Sequence, residues 1–200
     1  MSTDDRARHA GVIESAERLR WMAQKLPQLR FLGDPILRQV CKPITAQEFG
    51  SPELQRIADE LRDTLLAYRS RYKMGRGLAA NQIGHAKRMI AVLLGSQVQI
   101  MCNPRPLAIT GLGSYDESCL SSGSALIGTV HRPWMASFAY QDLAGKQLRL
   151  DADAPQTRLV FHENDHLDGI MCTDRYEPRT MRIVSGGVDE ILGSELMQLS

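Results

Sequence analysis

The stretch His162-Glu163-Asn164-Asp165-His166 constrains the fold of this chain more than any other part of its sequence. On a helix, residues four positions apart share one face, so both imidazole rings can reach the same cation. Glu163 lies beside that face, where its carboxylate can take a proton from a metal-bound water. With Leu159, these residues form one stripe that would face the core, where a carboxylate is costly without a cation or hydrogen-bond partners. The stretch therefore predicts a buried metal-binding helix.

A catalytic site of this kind needs a third protein ligand and an open position for water. The chain has four candidate thiols, on Cys41, Cys102, Cys119 and Cys172. A thiolate with two imidazoles suits Zn2+ or Fe2+ better than Mg2+ or Ca2+. Spacing alone does not choose Cys119, which follows a glycine-rich loop at 111–114, over Cys102 or Cys172. The cysteines that bind no metal are expected to be small buried hydrophobic residues.

The composition excludes several classes of protein. Lys and Arg number 24 and Asp and Glu 23, so the net charge of +1 argues against a protein built to hold nucleic-acid backbone. No apolar run approaches the ~20 residues that span a membrane, and the charged residues 1–20 lack the apolar core of a signal peptide. Four cysteines in 200 residues are too few for a disulfide scaffold. We expect a cytoplasmic protein that binds neither nucleic acid nor membrane.

Outward from the metal-binding helix, the hydrophobic pattern changes period along the chain. Helical spacing predicts a helix over 14–26, a second over 52–72 with Ser51 as N-cap, and the metal-binding helix over 158–167 with Asp151 or Asp153 as N-cap. Short apolar runs predict strands at 89–94, 98–102, 135–140 and 148–150. Asn103-Pro104 would end the strand at 98–102, and a hairpin turn at 142–145 would join the last two strands. This order predicts an α+β fold in which antiparallel sheets surround a C-terminal metal-binding helix, with N-terminal helices.

No linker or repeat divides the chain, so it is predicted to be a single domain over 1–200. Residues 1–29 would be a helical N-terminal extension, and 177–200 a C-terminal tail. The extension is expected to cap the sheet with an apolar stripe made of Ile13, Ala16, Leu19, Met22 and Leu26.

A third cluster of unusual residues runs from 75 to 84 and is rich in glycine and alanine. It lacks the Gly-Lys-Ser/Thr ending of a phosphate loop and the preceding strand of a dinucleotide fingerprint. Alone, it predicts no more than a loop that ends a helix.

Together, the three clusters resemble the peptide deformylases, metal hydrolases that remove the N-formyl group from newly made bacterial and organellar proteins. That family carries a glycine–hydrophobic–glycine–leucine–alanine–alanine–x–glutamine segment, then glutamate–glycine–cysteine–leucine–serine, then glutamine–histidine–glutamate–x–aspartate–histidine. Residues 75–82, 117–121 and 161–166 are similar to these in the same order, and 34–38 resemble the family's opening. The resemblance covers about residues 30 to 176.

The resemblance implies a set of metal ligands, namely Cys119, His162 and His166. The implied cofactor is one divalent cation, usually Fe2+, with Zn2+ or Ni2+ often found instead. Glu163 would be the general base and then the acid while metal-bound hydroxide attacks the formyl carbon and formate is released. The side-chain amide of Gln82 and the backbone N–H of Leu120 would stabilise the oxyanion. These roles agree with the general chemistry of metal-activated water.

The implied partner is a formylated nascent peptide, bound by Arg76, Gly77, Ser118 and Leu159. Arg76 replaces a hydrophobic residue of the family pattern, Ser118 a glycine and Phe161 a glutamine. The segment 122–131 departs most, because it lacks the family's proline and places Ile127 near the position of a substrate-binding arginine. A serine at 118 would cost about 1 kcal/mol if the backbone there needed a positive φ.

Three side chains are candidates to support the ligands from behind, Glu117, Arg132 and Asp165. The tail after residue 177 has only Arg179 and Arg182 as basic residues, so docking on the ribosome is possible but unsupported. Two alternatives to a peptide deformylase stay open. One is a divergent hydrolase of the same fold that acts on another formamide or small amide. The other is a catalytically silent metal-binding or peptide-binding paralogue.

Overall fold

The fold is described from a computed structural model that covers residues 2–184 and 197–199. The helices in these residues are α1 (Thr3–Lys25), α2 (Pro52–Tyr72), α3 (Ala154–Leu167) and α4 (Cys172–Arg175). The strands are β1 (Gly77–Ala79), β2 (Met89–Leu94), β3 (Gln97–Ser118), β4 (Leu126–Gln141), β5 (Gln147–Ala152), β6 (Arg182–Ile183) and β7 (Met197–Leu199). No helix in the described part of the chain is long and apolar enough to cross a membrane.

The seven strands of the described residues form one antiparallel sheet. Strands β1 to β5 follow each other in order across it, while β6 pairs with β4 and β7 with β3. Within β1 to β5, strands that follow each other in sequence are thus neighbours in space, as expected for consecutive antiparallel strands. Helix α3 packs against β1, β2 and β4. The predicted α+β fold with a C-terminal helix against antiparallel strands is confirmed.

Side chains of β2 alternate between the two faces of the sheet, as the pleat requires. Met89 and Ala91 join the apolar cluster that contains the buried face of α2. Ile90 and Val92 join a second cluster with Val160 of α3. The sheet therefore lies between α2 and α3. Helix α3, which carries the metal-binding motif, packs on the face of the sheet opposite α2.

Two predicted helices have the predicted N-caps. Ser51 Oγ accepts a hydrogen bond from the backbone N–H of Leu54 at 3.2 Å, and Pro52 follows at the first helical position. Of the two candidate caps for α3, Asp153 is the one used, because its carboxylate accepts from the N–H of Gln156 at 2.9 Å. Cap residues act locally, which is why the sequence located them correctly.

Helix α1 begins at Thr3 rather than at residue 14. Ser2 and Asp5 form a capping box, in which Ser2 Oγ accepts from Asp5 N–H at 3.0 Å and the Asp5 carboxylate accepts from Ser2 N–H at 3.1 Å. The prediction used apolar spacing, and the first turns of this helix are polar. Apolar spacing therefore missed the true start of α1, because the capping box marks that start and the apolar residues begin later in the helix.

The predicted apolar stripe of α1 is only half correct. Its exposed positions include Ile13, Ala16 and Leu19, whereas its buried ones include Ser15, Arg18, Met22 and Leu26. The Arg18 guanidinium donates to Ser15 Oγ at 3.0 Å and to the carbonyl of Ser124 at 2.9 Å. These acceptors and the Glu14 carboxylate at 3.3 Å compensate most of the buried charge, while Nε has no hydrogen-bond partner among the described residues. Through Met22 and Leu26 the helix packs on the apolar cluster that contains the buried face of α2, while its predicted role of capping the sheet stays a prediction.

The predicted stop at Asn103-Pro104 is wrong, because β3 continues to Ser118. Asn103 has φ 49°, and the pairing with β4 changes register between Cys102 and Arg105. The Asn103 side chain also accepts from the N–H of Ile44 and donates to its carbonyl, both at 2.8 Å. The dipeptide thus produces a bulge, which bends a strand without ending it.

The predicted loop at 111–114 is wrong because these residues belong to β3, and most of the segment 122–131 belongs to β4. Residues 112–114 pair with 131–133, and Ser118 pairs with Ile127. Only a short turn follows Cys119, with Gly123 at φ 69° and Ser124 at φ 49°. Cross-strand pairing between segments far apart in sequence overrides the local preference of glycine and serine for loops.

Candidate metal centre

Three ligand atoms converge between the end of β3 and the middle of α3. They are Cys119 Sγ and one ring nitrogen each of His162 and His166, and all lie within 4.8 Å of one another. Cys119 Sγ is 3.2 Å from His166 Nε2, and the two imidazole centroids are 5.1 Å apart. The structure thus brings together the thiol and the two imidazoles named by the resemblance. The donor set, one thiol and two imidazoles, fits a borderline-soft divalent cation.

The other three cysteines are buried and unbridged. Burial raises the pKa of the Cys41 and Cys102 thiols to about 11 and about 12, in keeping with their apolar surroundings. Cys172 is different, since its thiol lies against that of Cys119 and 3.3 Å from the Tyr176 hydroxyl. The prediction that Cys172 is buried is therefore correct. Its thiol, however, also packs against the metal ligand Cys119.

Glu117 supports the His162 ligand from behind. Its Oε2 atom is 2.9 Å from His162 Nδ1, which leaves Nε2 of that ring for a cation. Arg132 donates to both carboxylate oxygens of Glu117, at 2.7 and 2.8 Å. Burial raises the pKa of Glu117, but Arg132 and His162 outweigh it and hold that pKa below its ordinary value. The Glu117 carboxylate is thus ionised, and it fixes the orientation of the imidazole.

The same arginine links this pair to a second buried carboxylate. Arg132 Nη1 donates to Asp165 Oδ2 at 2.8 Å, and Asp165 also accepts from Arg175 at 2.8 and 3.2 Å. Arg132 and the side chain of Glu117 are nearly inaccessible to solvent. The three supporting residues of the sequence prediction therefore form one charged network behind the ligands, extended by Arg175.

Glu163 is buried beside the ligands, and its Oε2 atom has no hydrogen-bond partner among the described residues. Burial raises the pKa of Glu163 to about 7, although the nearby His162 favours the ionised form. A Cβ atom added to Gly77 would lie 2.2 Å from Glu163 Oε1, so only glycine lets β1 approach this carboxylate. The geometry thus presents a carboxylate that can accept a proton near pH 7.

Gln82 and Leu120 lie on either side of the Cys119 thiol. The side-chain oxygen Oε1 of Gln82 accepts from Ala79 N–H at 2.8 Å. The side-chain nitrogen Nε2 donates to Ser121 Oγ at 3.0 Å and lies 3.4 Å from Cys119 Sγ. Leu120 follows Cys119 directly and begins a short 3-10 turn. Both predicted oxyanion donors are therefore next to the metal ligands.

A cavity of about 410 Å³ opens onto this cluster. Nine of the ten predicted site residues line it, and the tenth, His166, is fully buried behind them. The predicted substrate-binding residues among them are Arg76, Gly77, Ser118 and Leu159. Ser118 is the last residue of a strand and does not have a positive φ, so serine in place of glycine is unstrained there.

Sequence reasoning missed three basic residues of the cavity wall, Arg69, Lys73 and Arg158. Arg158 stands one helical turn before His162 on α3, so the helical spacing used for the ligands could have found it. Arg69 and Lys73 come from the end of α2, and only the fold brings them here. Phe161, the third departure from the family pattern, packs edge-on against Phe138 at 5.2 Å, away from the ligands.

Comparison with known proteins agrees with this geometry. The family model described as polypeptide deformylase matches residues 27–182. The peptide deformylase of Chlorobaculum tepidum is 32% identical over 167 residues, which are 80% of this chain and 84% of that protein. The crystal structure of peptide deformylase from Thermotoga maritima has a TM-score of 0.68 at 28% identity and covers 75% of this chain and 97% of its own.

A second solved structure is the class I type b peptide deformylase of Acinetobacter baumannii with Met-Ala-Ser bound. It has a TM-score of 0.66 at 29% identity, with 74% of this chain and 96% of that chain covered. The family match spans most of the chain and includes every residue that lines the cavity described above. The chain therefore belongs to the polypeptide deformylase family of metal-dependent hydrolases.

Proposed function

We propose that this protein hydrolyses the N-formyl group of formyl-methionine at the start of newly made peptides and releases formate. The observation that carries the proposal is that Cys119, His162 and His166 converge at one cavity, beside a Glu163 carboxylate whose Oε2 atom has no hydrogen-bond partner among the described residues. The Met-Ala-Ser peptide bound to the Acinetobacter baumannii relative has the sequence of a deformylated product, which supports a peptide substrate here.

Cys119, His162 and His166 would hold one divalent cation per chain, and we propose Fe2+, with Zn2+ or Ni2+ as possible replacements. A thiolate and two imidazoles favour these ions over Mg2+ or Ca2+. When bound, the cation supplies a Lewis acid that lowers the pKa of water from about 15.7 toward 7. The buried Glu117 carboxylate holds the His162 ring in the orientation that this binding needs.

The remaining steps belong to side chains around the cavity. Glu163, whose pKa burial raises to about 7, accepts a proton from the attacking water and passes it to the departing amine. The Gln82 amide and the Leu120 N–H donate to the formyl oxygen as it gains negative charge. The backbone at Gly77 and Ser118 lies at the cavity wall, where an extended peptide could pair with it as an added strand.

We further propose that residues 1–200 act as one domain in the cytoplasm, where newly made peptides are available. Met22 and Leu26 of the N-terminal extension share an apolar cluster with α2, which supports one cooperative unit. Of the tail, Arg179 and Arg182 are described by the structure, whereas Asp189, Glu190 and Glu195 lie outside the described residues. Ribosome docking by this tail stays a prediction without support.

Formate release from formyl-Met-Ala-Ser tests the proposed function directly. Protein prepared without oxygen and loaded with Fe2+ or Ni2+ is expected to contain about one ion per chain and to release formate, because the ligand set holds one cation. Formate is measured on the same preparation as metal content. Cys119→Ala should lose stoichiometric metal, whereas the control Cys41→Ala, which removes another buried thiol, should keep it. A fully loaded protein that deformylates no formyl-peptide would refute the proposal.

Gly77→Ala is expected to lower kcat/KM for formate release by roughly 10²-fold, because a displacement of about 1 Å in a catalytic group has that effect. The added methyl group would collide with the Glu163 carboxylate. The control is Gly95→Ala, whose methyl group would meet nothing within 4 Å; its φ of 61° costs about 1–2 kcal/mol of stability but does not touch Glu163, so kcat/KM should stay at the wild-type value. Steady-state kinetics on both variants check this, with metal content as the second readout. Wild-type kinetics for Gly77→Ala would show that Glu163 does not need its present position.

A further inference from the structure

The cavity of the candidate metal centre carries an excess of positive charge on its wall. Its basic residues are Arg69, Lys73, Arg76 and Arg158, and its acidic ones are Asp116, Glu117 and Glu163. Asp116 is bound by Arg182 at 2.9 Å, Glu117 is bound by Arg132, and Glu163 is held against Gly77. The acidic residues therefore leave the basic wall largely uncompensated.

Of the three arginines on the cavity wall, Arg76 and Arg158 have neither a carboxylate nor a carbonyl hydrogen-bonded to their guanidinium groups within the described residues. Across residues 2–184 and 197–199, neither forms an ion pair. The negative charge of Asp153 raises the pKa of Arg76 through space. The Asp153 carboxylate is exposed, however, and accepts from the N–H of Gln156 as the N-cap of α3. Arg69, the third arginine of the wall, donates to backbone carbonyls at 3.3 Å instead.

Both arginines are held where a substrate would lie. Arg158 is one helical turn from His162, and its guanidinium lies 5.6 Å from the centroid of the buried Tyr115 ring. Arg76 precedes Gly77, and its carbonyl accepts from the N–H of Leu93 at 2.6 Å, which fixes its backbone to β2. Arg158 therefore projects from the ligand helix itself, and Arg76 directly precedes the strand that touches Glu163.

The two guanidinium groups also act on each other. Arg76 is half-buried, and burial, followed by the charges of Arg158 and Arg69, lowers its pKa from the usual arginine value. Two cations that share a cavity without a counter-ion repel each other, and an anion placed between them removes that repulsion. The planar guanidinium binds carboxylates through paired hydrogen bonds, so a carboxylate is the anion of matching shape.

We infer that this enzyme prefers N-formyl substrates that carry a carboxylate close to the formyl group, bound by Arg76 and Arg158. The inference rests on the proposed function and adds a substrate class to it. The carboxylate can belong to the side chain of the first residue, to that of the second residue, or to the C-terminus of a very short peptide. The sequence is consistent with this reading, since Arg76 stands where the family pattern has a hydrophobic residue.

Three pairs of substrates test the inference and distinguish the sources. They are formyl-Glu-Ala-Ser-amide against its Gln analogue, formyl-Met-Glu-Ser-amide against its Gln analogue, and formyl-Met-Ala with a free against an amidated C-terminus. In at least one pair the carboxylate is expected to raise kcat/KM about ten- to a hundredfold, the range for hydrogen bonds to charged groups. The preference should shrink in 0.5 M salt, because the arginines are only half-buried.

Arg76→Met and Arg158→Met are each expected to reduce the carboxylate preference at least severalfold. The control is Arg105→Met, which removes an exposed arginine of β3 outside the cavity and should keep the preference. If wild-type protein deformylates all six substrates without preference for any carboxylate, the inference is overturned and the proposed function stands.

If no formyl substrate is hydrolysed, the proposed function fails, and binding then decides the inference. Calorimetry with the deformylated peptides and metal-free protein measures it without catalysis. Tighter binding of a carboxylate peptide than of its neutral analogue, weakened by Arg158→Met, supports the inference. Equal affinities within each pair would overturn it.

Discussion

Glu163→Gln is expected to lower kcat for formate release by roughly 10²- to 10⁴-fold, the usual contribution of a general acid or base. Glutamine has nearly the shape of glutamate but cannot accept and return a proton. Glu163 Oε2 has no hydrogen-bond partner in the described structure, so the substitution breaks no network. The metal content should stay at one ion per chain, because the three ligands are untouched. Single-turnover formate release with metal analysis on the same sample measures both quantities.

The stability of the metal-free Glu163→Gln variant provides the control. Burial raises the pKa of Glu163 in the folded chain to about 7, above the ~4.3 of an unfolded glutamate. Folded wild-type protein therefore loses stability as the pH rises from about 4.3 through 7, since a buried carboxylate must ionise, whereas glutamine does not titrate. The variant should unfold at a higher temperature than wild type at pH 8 and show a smaller difference at pH 5. If Glu163→Gln released formate at the wild-type rate, Glu163 would be excluded as the proton carrier.

Arg132→Met is expected to lower the free energy of unfolding by about 3–5 kcal/mol, the range for removing one partner of a buried ion pair. Arg132 is buried and bonded to both Glu117 and Asp165, so its loss leaves two carboxylates without their common cation. The flexible apolar methionine side chain fills part of the space, which limits the cavity contribution. Urea denaturation of the metal-free protein, with the slope checked for constancy, measures the change.

Two further variants separate the network from a general effect of charge. Arg149→Met removes an arginine from an exposed pair with Asp151 and should cost about 0–1 kcal/mol. Adding Glu117→Gln to Arg132→Met should cost less than the sum of the two single changes, because the orphaned charge is then gone. A loss below 1 kcal/mol for Arg132→Met would mean that water reaches Glu117 and Asp165 in the folded protein.

Local signals in the sequence located the helices well and the strands less well. Ser51 and Asp153 mark helix starts because a cap acts within one turn. The course of β3 depends on pairing with β4, so Asn103 and the glycines at 111 and 113 were misread as breaks. Arg18 was missed as a buried residue because its acceptor, the Ser124 carbonyl, is brought to it only by the fold.

The site was predictable to the extent that its residues share one helix or one motif. Helical spacing alone pairs His162 with His166, but the choice of Cys119 over Cys172 needed the family resemblance, and both thiols prove to lie together. Helical spacing from His162 could also have found Arg158, whereas Arg69 and Lys73 reach the cavity from the end of α2 and only the fold brings them there. The composition of this basic wall therefore depends in part on contacts that only the tertiary structure assembles.

The hydrogen bond from the Arg18 guanidinium to the Ser124 carbonyl determines where a stable fragment of this domain can begin. The family match begins at residue 27, yet Arg18 of α1 satisfies a buried carbonyl five residues after Cys119, and Leu19 lies against the intervening Gly123. A fragment trimmed to the matched region would leave that carbonyl without its donor, at a cost of about 1–3 kcal/mol. The boundary of the family match is thus not the physical boundary of this enzyme, whose intact unit includes the part of α1 that carries Ser15, Arg18 and Leu19.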